Sequence, residues 1–164
     1  MVVEYRADAP GDLPIVRELF EEYGRSLGID LSFQGFAEEL ATLPGKYAPP
    51  HGTVIVARAE DTPIGCVALR MIDGQTCEMK RLYVRPAARG LHIGAELARR
   101  IIQAAEARGY GSMRLDTLET MKSAVALYKH LGFREIAPYI YNPIPGAIFM
   151  EKRLQPLSTR PRGP

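Results

Sequence analysis

The chain has 164 residues, 46% of them hydrophobic and 24% charged, with a formal charge of +2. That is the profile of a globular protein able to bury a core without metals or disulfides. So small a charge, with Lys and Arg scattered rather than gathered in a stripe, argues against phosphate-driven nucleic-acid binding and against an anionic membrane surface. No apolar run approaches the roughly 20 residues that cross a bilayer, and the N-terminus has no basic stretch leading into an apolar one. A cytoplasmic protein with no membrane or nucleic-acid partner is the expectation.

In chain order, "VVEYR" reads as a first strand. Asp12 stands where it can cap a helix through "LPIVRELFEEYGRSL", whose Leu13, Val16, Leu19, Phe20 and Tyr23 form one stripe. "FQGFAEELATL" is a second, shorter helix stopping before Pro44-Gly45, and "GKYAPPHG" is a loop. "TVIVARA", "PIGCVALRMI" and "QTCEMKRLYV" are β-rich runs that form an antiparallel meander. A long amphipathic helix follows from about Ile93 to Arg108, with Ile93, Leu97, Ile101 and Ala105 on its core face. "SMRLDTL" is another strand. "TMKSAVALYKHLGF" is a helix ending at Gly132, and "EIAPYIYNPIPGAIFMEKRL" holds a Tyr- and Pro-rich loop and the closing strand. The order β-α-α-β-β-β-α-β-α-β-β implies a mixed α/β sheet: strands 1–4 antiparallel, strands 4 and 5 parallel and joined by a crossover helix. One domain over residues 1–154 is expected, with 155–164 as a flexible C-terminal tail.

Two cysteines are present, Cys66 and Cys77. A tight hairpin turning at Asp73-Gly74 would set Cys77 opposite Arg70 and Cys66 opposite Arg81, several pairs apart and too far for a disulfide. Reduced thiols packed in the core are expected, and the three scattered His show no metal-ligand spacing.

Chemistry concentrates in "VRPAARGLHIGAELARR". A strand ends, two glycines punctuate a turn, and a helix begins. Free N–H groups and the positive end of the helix dipole make an anion site there, and Gly90 and Gly94 keep side chains off a phosphate's approach. The bland alternative is that each Gly serves only backbone geometry or packing.

Taken together, "LYVRP", "RGLHIGA" and "ALYKHLGF" resemble the GNAT superfamily of acetyl-CoA-dependent N-acetyltransferases. The resemblance covers roughly residues 1–154 and is sharpest from Glu78 to Phe133. Its central motif, Gln/Arg-x-x-Gly-x-Gly/Ala, stands here as Arg89-Gly90-Leu91-His92-Ile93-Gly94, with His92 where the family usually has Gly. The resemblance implies a GNAT-like fold and acetyl-CoA as cofactor. Its pyrophosphate would lie on Arg89, Gly90, Leu91, His92, Ile93, Gly94 and Ala95, and its pantetheine arm along Leu82, Tyr83 and Val84. Tyr128 matches the usual general acid for the departing thiolate, or else is a core-edge tyrosine. Ser123 stands near where relatives carry a cofactor-touching Asn. Glu78 matches a frequent general base, or else is a strand charge paired with Lys80 or Arg81; Asp116 and Thr117 are alternatives that base or orient the substrate. An oxyanion would meet a backbone N–H near Leu82.

The acceptor pocket is expected between the first two helices, the loop around Lys46 to His51, and "APYIYNPIPGAIF", with Tyr139, Tyr141 and Asn142 as its walls. Arg70 or Arg81 would clamp a carboxylate. A small-molecule primary amine, amino-acid-like or otherwise acidic, is the expected acceptor, acetylated by direct attack in a ternary complex. Protein N-terminal or lysine acetylation stays open, as does a non-catalytic acyl-CoA sensor. A homodimer is compatible with the family.

Overall fold

The computed structural model describes residues 2–157. Seven strands form one sheet in the order β1-β2-β3-β4-β5-β7-β6. They are β1 (Val3–Ala7), β2 (Thr53–Ala59), β3 (Thr62–Met71), β4 (Thr76–Val84), β5 (Ser112–Leu118), β6 (Arg134–Ile136) and β7 (Ala147–Arg153). Strands β1 to β4 are antiparallel, and β4 and β5 run parallel around helix α3 (Ile93–Ala107). The meander and crossover expected from the sequence are therefore present.

Strand periodicity places the core. Val54 and Val56 of β2, with Cys66 and Ala68 of β3, pack on helix α1 (Leu13–Leu27) through Val16, Leu19 and Phe20. The intervening Ile55, Ala57, Val67 and Leu69 face the opposite way, onto Leu97 and Ile101 of α3. Successive side chains point to opposite faces, so a sheet covered on both sides reads as nearly continuous apolar sequence. Helix α4 (Lys122–His130) adds Tyr128 to the α3 side and ends before Gly132 at φ +98°.

Local expectations were corrected in four places. Asp12 occupies the N-cap position of α1 without capping it, because its carboxylate turns to Arg58. The second helix splits into a 3₁₀ turn at Ser32–Gln34 and α2 (Phe36–Ala41), separated by Gly35 at φ +67°. In the hairpin, Asp73 Oδ1 accepts from the N–H groups of Gln75 and Thr76, and this wider turn shifts the register by one. Cys77 pairs with Met71 and Arg70 with Glu78; a further shift between Cys66 and Ala68 puts Cys66 opposite Tyr83, two residues from the expected Arg81, and both thiols remain free and buried. Of the expected tail, Gln155 and Leu157 donate backbone N–H groups to Glu106, tying this stretch to α3. The rest of the tail, 158–164, lies outside the described residues. Among the described residues no helix is long and apolar enough to cross a membrane.

Candidate active site

The site begins where two strands part. β4 and β5 are paired only at Thr76–Ser112, Cys77–Met113 and Glu78–Arg114. Beyond Glu78, β4 stays with β3 and β5 stays with β7, so a wedge opens between them. Arg81 contributes to this shape. Its φ of +61° makes it the extra residue of a bulge, and the register against β3 shifts between Cys66 and Ala68. A bulge inserts one residue and reverses the alternation beyond it. Cys77 and Met79 accordingly face α3, whereas Tyr83 joins the α1 side.

A cavity fills the wedge. Met79, Lys80, Arg81 and Leu82 of β4, Leu115 to Leu118 of β5, Met121, Ala124 and Tyr128 near and on α4, and Asn142 line it. Tyr23, Leu27, Ile29, Leu31, Phe33 and Gln34 close it from the α1 side. The loop around Lys46 to His51 does not reach this wall; Tyr47 is instead buried against α1 and hydrogen-bonded to Glu39.

Period-two spacing sets Arg70, Glu78, Lys80 and Asp116 on one face of the sheet. Glu78 is fully buried and sits behind the cavity wall. Its Oε1 accepts from Arg70 Nε at 2.7 Å, and its Oε2 from the Tyr139 hydroxyl. Burial pushes the Glu78 carboxyl up, but Lys80, Arg70 and the Tyr139 hydrogen bond outweigh it and hold the group below its ordinary value. Lys80 lies in the cavity wall, with Nζ 3.3 Å from Gln34 Oε1, 3.7 Å from Asp116 Oδ1 and 3.9 Å from Glu78 Oε1. Burial drags its ammonium down, against the pull of Glu78 and Asp116. Asp116 accepts from Asn142 Nδ2 at 3.0 Å through Oδ2.

Neither expected arginine clamp is free. Arg70 is engaged by Glu78, and Arg81 donates to both oxygens of Glu39 and to Gln34 Oε1, with its guanidinium over the rings of Tyr23 and Phe36. Tyr139 packs edge-on to Phe149 rather than lining the cavity, while the exposed Tyr141 meets Phe33 edge-on. Asp116, Thr117 and Asn142 do line it. Lys80 and Gln34 were missed as site residues from sequence. Lys80 was legible, because it sits two residues from Glu78 and so on the same strand face.

The second half of the site is the turn from Arg85 to α3. Arg85 anchors the end of β4 to Glu18 and Glu22 of α1. Gly90 has φ +83° and His92 has φ +61°, so His92 is the left-handed N-cap of α3. A His there costs on the order of 1 kcal/mol over Gly. Its side chain is exposed and makes no capping hydrogen bond. Among the described residues, no backbone N–H from Gly90 to Ala95 has a backbone partner outside the regular helix and strand ladders. Such a row at a helix N-terminus is an anion cradle. Gly94 comes near the cradle's edge without crowding: a Cβ there would lie 3.6 Å from Val84 Cγ2. Arg89 folds back, its Nε donating to the Val84 carbonyl at 3.1 Å, and Ser123 is exposed in the first turn of α4.

Tyr128 stands in the wedge. It is 7% exposed, packs edge-on to Phe133 at 5.8 Å, and lines the cavity. Burial first, then Tyr23 and Asp116, push its phenol well above the ordinary value, so it stays protonated across the physiological range.

The fold is one that known proteins share. Residues 15–133 match the Acetyltransferase (GNAT) family. An uncharacterised N-acetyltransferase of Schizosaccharomyces pombe is 50% identical over 143 residues, which is 86% of this chain and 88% of the relative. A GNAT-family acetyltransferase from Staphylococcus aureus shares the fold with TM-score 0.77 at 20% identity, over 93% of this chain and 99% of its own. So does the PaiA N-acetyltransferase of Thermoplasma acidophilum, solved in complex with coenzyme A, with TM-score 0.71 at 20% identity over 93% and 99%. The chain belongs to the GNAT family of N-acetyltransferases, acyltransferases that take their acetyl group from acetyl-CoA.

Proposed function

We propose that the protein transfers the acetyl group of acetyl-CoA to the primary amine of a small molecule, by direct attack within a ternary complex. One observation carries this reading. A wedge between β4 and β5 is lined by a buried protonated phenol and a carboxylate, and the strand that forms one side of it, β4, runs on into a turn with a row of N–H groups free of backbone partners.

The residues fit the donor. The N–H groups from Gly90 to Ala95 would hold its diphosphate, with Gly90 and Gly94 leaving the approach clear. From Met79 to Val84 one edge of β4 lacks a ladder partner, and Leu82 to Val84 would pair there with the amides of the pantetheine arm. Bound there, acetyl-CoA supplies a thioester carbonyl open to an amine. A backbone N–H near Leu82 meets the oxyanion.

The acceptor arrives as an ammonium and must lose a proton before its nitrogen can attack. Asp116 is placed to take it, because it lines the cavity and its Oδ1 accepts no hydrogen bond from a described residue. Glu78, the expected base, is sealed behind the wall with both oxygens engaged, so we assign it to positioning Arg70, Tyr139 and Lys80. The nitrogen–carbon bond forms and the carbon–sulfur bond breaks. Tyr128 donates its proton to the departing sulfur, and the second proton that the nitrogen loses as the amide forms restores the phenol. Proximity in the wedge replaces a covalent acyl-enzyme.

Thiol release from acetyl-CoA against a panel of primary amines tests the reading, with acetyl-CoA-induced thermal stabilisation measured alongside. Amine-dependent thiol release is expected. Stabilisation by acetyl-CoA without release for any amine would replace the enzyme with a sensor.

A further inference from the structure

Lys80 is a buried cation with few partners. Its side chain is 8% exposed, yet its three N–H donors meet one acceptor at hydrogen-bond distance among the described residues, Gln34 Oε1 at 3.3 Å. Glu78 Oε1 at 3.9 Å and Asp116 Oδ1 at 3.7 Å stand beyond that reach. Buried ammonium groups normally have their donors satisfied, since an unmet one carries its full desolvation penalty. Arg70 and Arg81 show the contrast, each held by a carboxylate of the protein at 2.7 to 3.0 Å. Beside it Asp116 accepts from Asn142 Nδ2 through Oδ2, and its Oδ1 accepts no hydrogen bond from a described residue. A positive and a negative group thus stand 3.7 Å apart, close enough to attract but too far to hydrogen-bond each other, each with donor or acceptor capacity left and both in the wall of one cavity.

A ligand that completes such a pair carries the opposite pair at like spacing. An ammonium and a carboxylate borne by the same carbon atom do so; an ω-amino acid or a diamine does not. Charge balance points the same way. Arg70, Lys80, Glu78 and Asp116 sum to zero, so a zwitterion leaves the buried group neutral, whereas a simple ammonium leaves it with an uncompensated charge. On the α1 side the wall offers the apolar side chains Leu27, Ile29, Leu31 and Phe33 beside Tyr23 and Gln34.

We infer that the acceptor is a free α-amino acid with an apolar side chain, its carboxylate held by Lys80 and its amine by Asp116. This rests on the acetyltransferase reading above and narrows it. Lys80 is then the residue that selects the substrate, the role expected from sequence of Arg70 or Arg81. A peptide N-terminus lacks the carboxylate beside its amine and is refused.

The test compares L-leucine, L-methionine and L-phenylalanine with their carboxamides and their decarboxylated amines, on the wild type and on Lys80→Met and Lys80→Arg. In the wild type each amino acid should exceed its two analogues in kcat/KM by about 10- to 100-fold, the range of one charge-assisted hydrogen bond, chiefly through KM. Lys80→Met should bring the three members of each set within roughly threefold, the loss of that one bond. Lys80→Arg should keep the preference. Acetyl-CoA-induced thermal stabilisation of each variant reports that it is folded. A wild type that accepts the carboxamide or the decarboxylated amine as well as the amino acid overturns the inference even if Lys80→Met does not fold. So does a folded Lys80→Met that keeps the preference. If Nα-acetyl-lysine or a peptide is acetylated and the amino acids are not, this inference falls while the acetyltransferase reading stands. If acetyl-CoA binds and nothing is acetylated, both fall.

Discussion

Arg81 holds Glu39 through two guanidinium nitrogens, Nε to Oε2 at 2.9 Å and Nη2 to Oε1 at 3.0 Å, and so ties the bulge of β4 to α2. The same guanidinium reaches Gln34 at 2.8 Å and lies over Tyr23 and Phe36. One buried side chain thus fixes the bend that opens the wedge and the segment that roofs it. Glu39→Gln leaves that guanidinium buried without its counter-charge. A loss of about 3–5 kcal/mol is expected, since breaking a buried pair strands the remaining charge. Urea unfolding measures it; a loss below about 1 kcal/mol, the level of an exposed pair, would show that the contact is not structural.

Tyr128→Phe keeps the edge contact with Phe133 and removes only the hydroxyl. Turnover should fall by about 10²- to 10⁴-fold, the usual contribution of a positioned acid, with acetyl-CoA affinity nearly unchanged. Steady-state kinetics and a direct binding titration separate the two. A variant with wild-type kcat would reduce Tyr128 to a packing residue.

Gly94→Leu tests the cradle, because the family motif takes Ala as well as Gly at this position and only a longer side chain would cover the N–H row. Its Cβ meets Val84 Cγ2 at an ordinary 3.6 Å, so the fold should be kept. The branched side chain beyond that Cβ stands in the first turn of α3, so acetyl-CoA should bind more weakly. Thermal melts with and without acetyl-CoA read folding and affinity from one sample. A folded variant with undiminished affinity would move the diphosphate off this turn.

Glu78→Gln separates a structural carboxylate from a base. Burial raises the carboxyl, while Lys80, Arg70 and Tyr139 together depress it below its reference value of 4.5. A depressed group contributes its stability above the unfolded value and loses it as pH falls through the folded one. The stability gap between wild type and variant should therefore be widest above roughly pH 5, at about 3–5 kcal/mol, and close in stronger acid. Turnover per folded molecule should stay within about tenfold. A fall of about 10²-fold or more, the signature of a lost base, would return that role to Glu78.

Much of this was legible without coordinates. The alternation of "TVIVARA" and the stripe Ile93, Leu97, Ile101, Ala105 report burial directly, because side-chain direction follows from backbone period alone. The anion cradle was equally readable, since N–H groups at a helix start are free whatever surrounds them. The hairpin register was not. It turned on Asp73 accepting two N–H groups, which moved the pairing of β3 with β4 by one residue, and on the bulge at Arg81, which moved it by a second. The partners of the charged residues were not legible either. Arg81 meets Glu39 across 42 positions of chain, and Tyr139 meets Glu78 across 61.

The linear order of residues by itself determined the strands and helices, the sheet's two buried faces, the glycine turn and the family, all of which depend on local periodicity or short motifs. Only the tertiary structure decided which charges are free. It bent β4 at Arg81, sealed Glu78 and Arg70 against each other, and left Lys80 and Asp116 facing a cavity with capacity unfilled. The physical reason is that a side chain's type states what it can bond, whereas its burial and its nearest opposite charge, set by residues far along the chain, state what remains for a ligand.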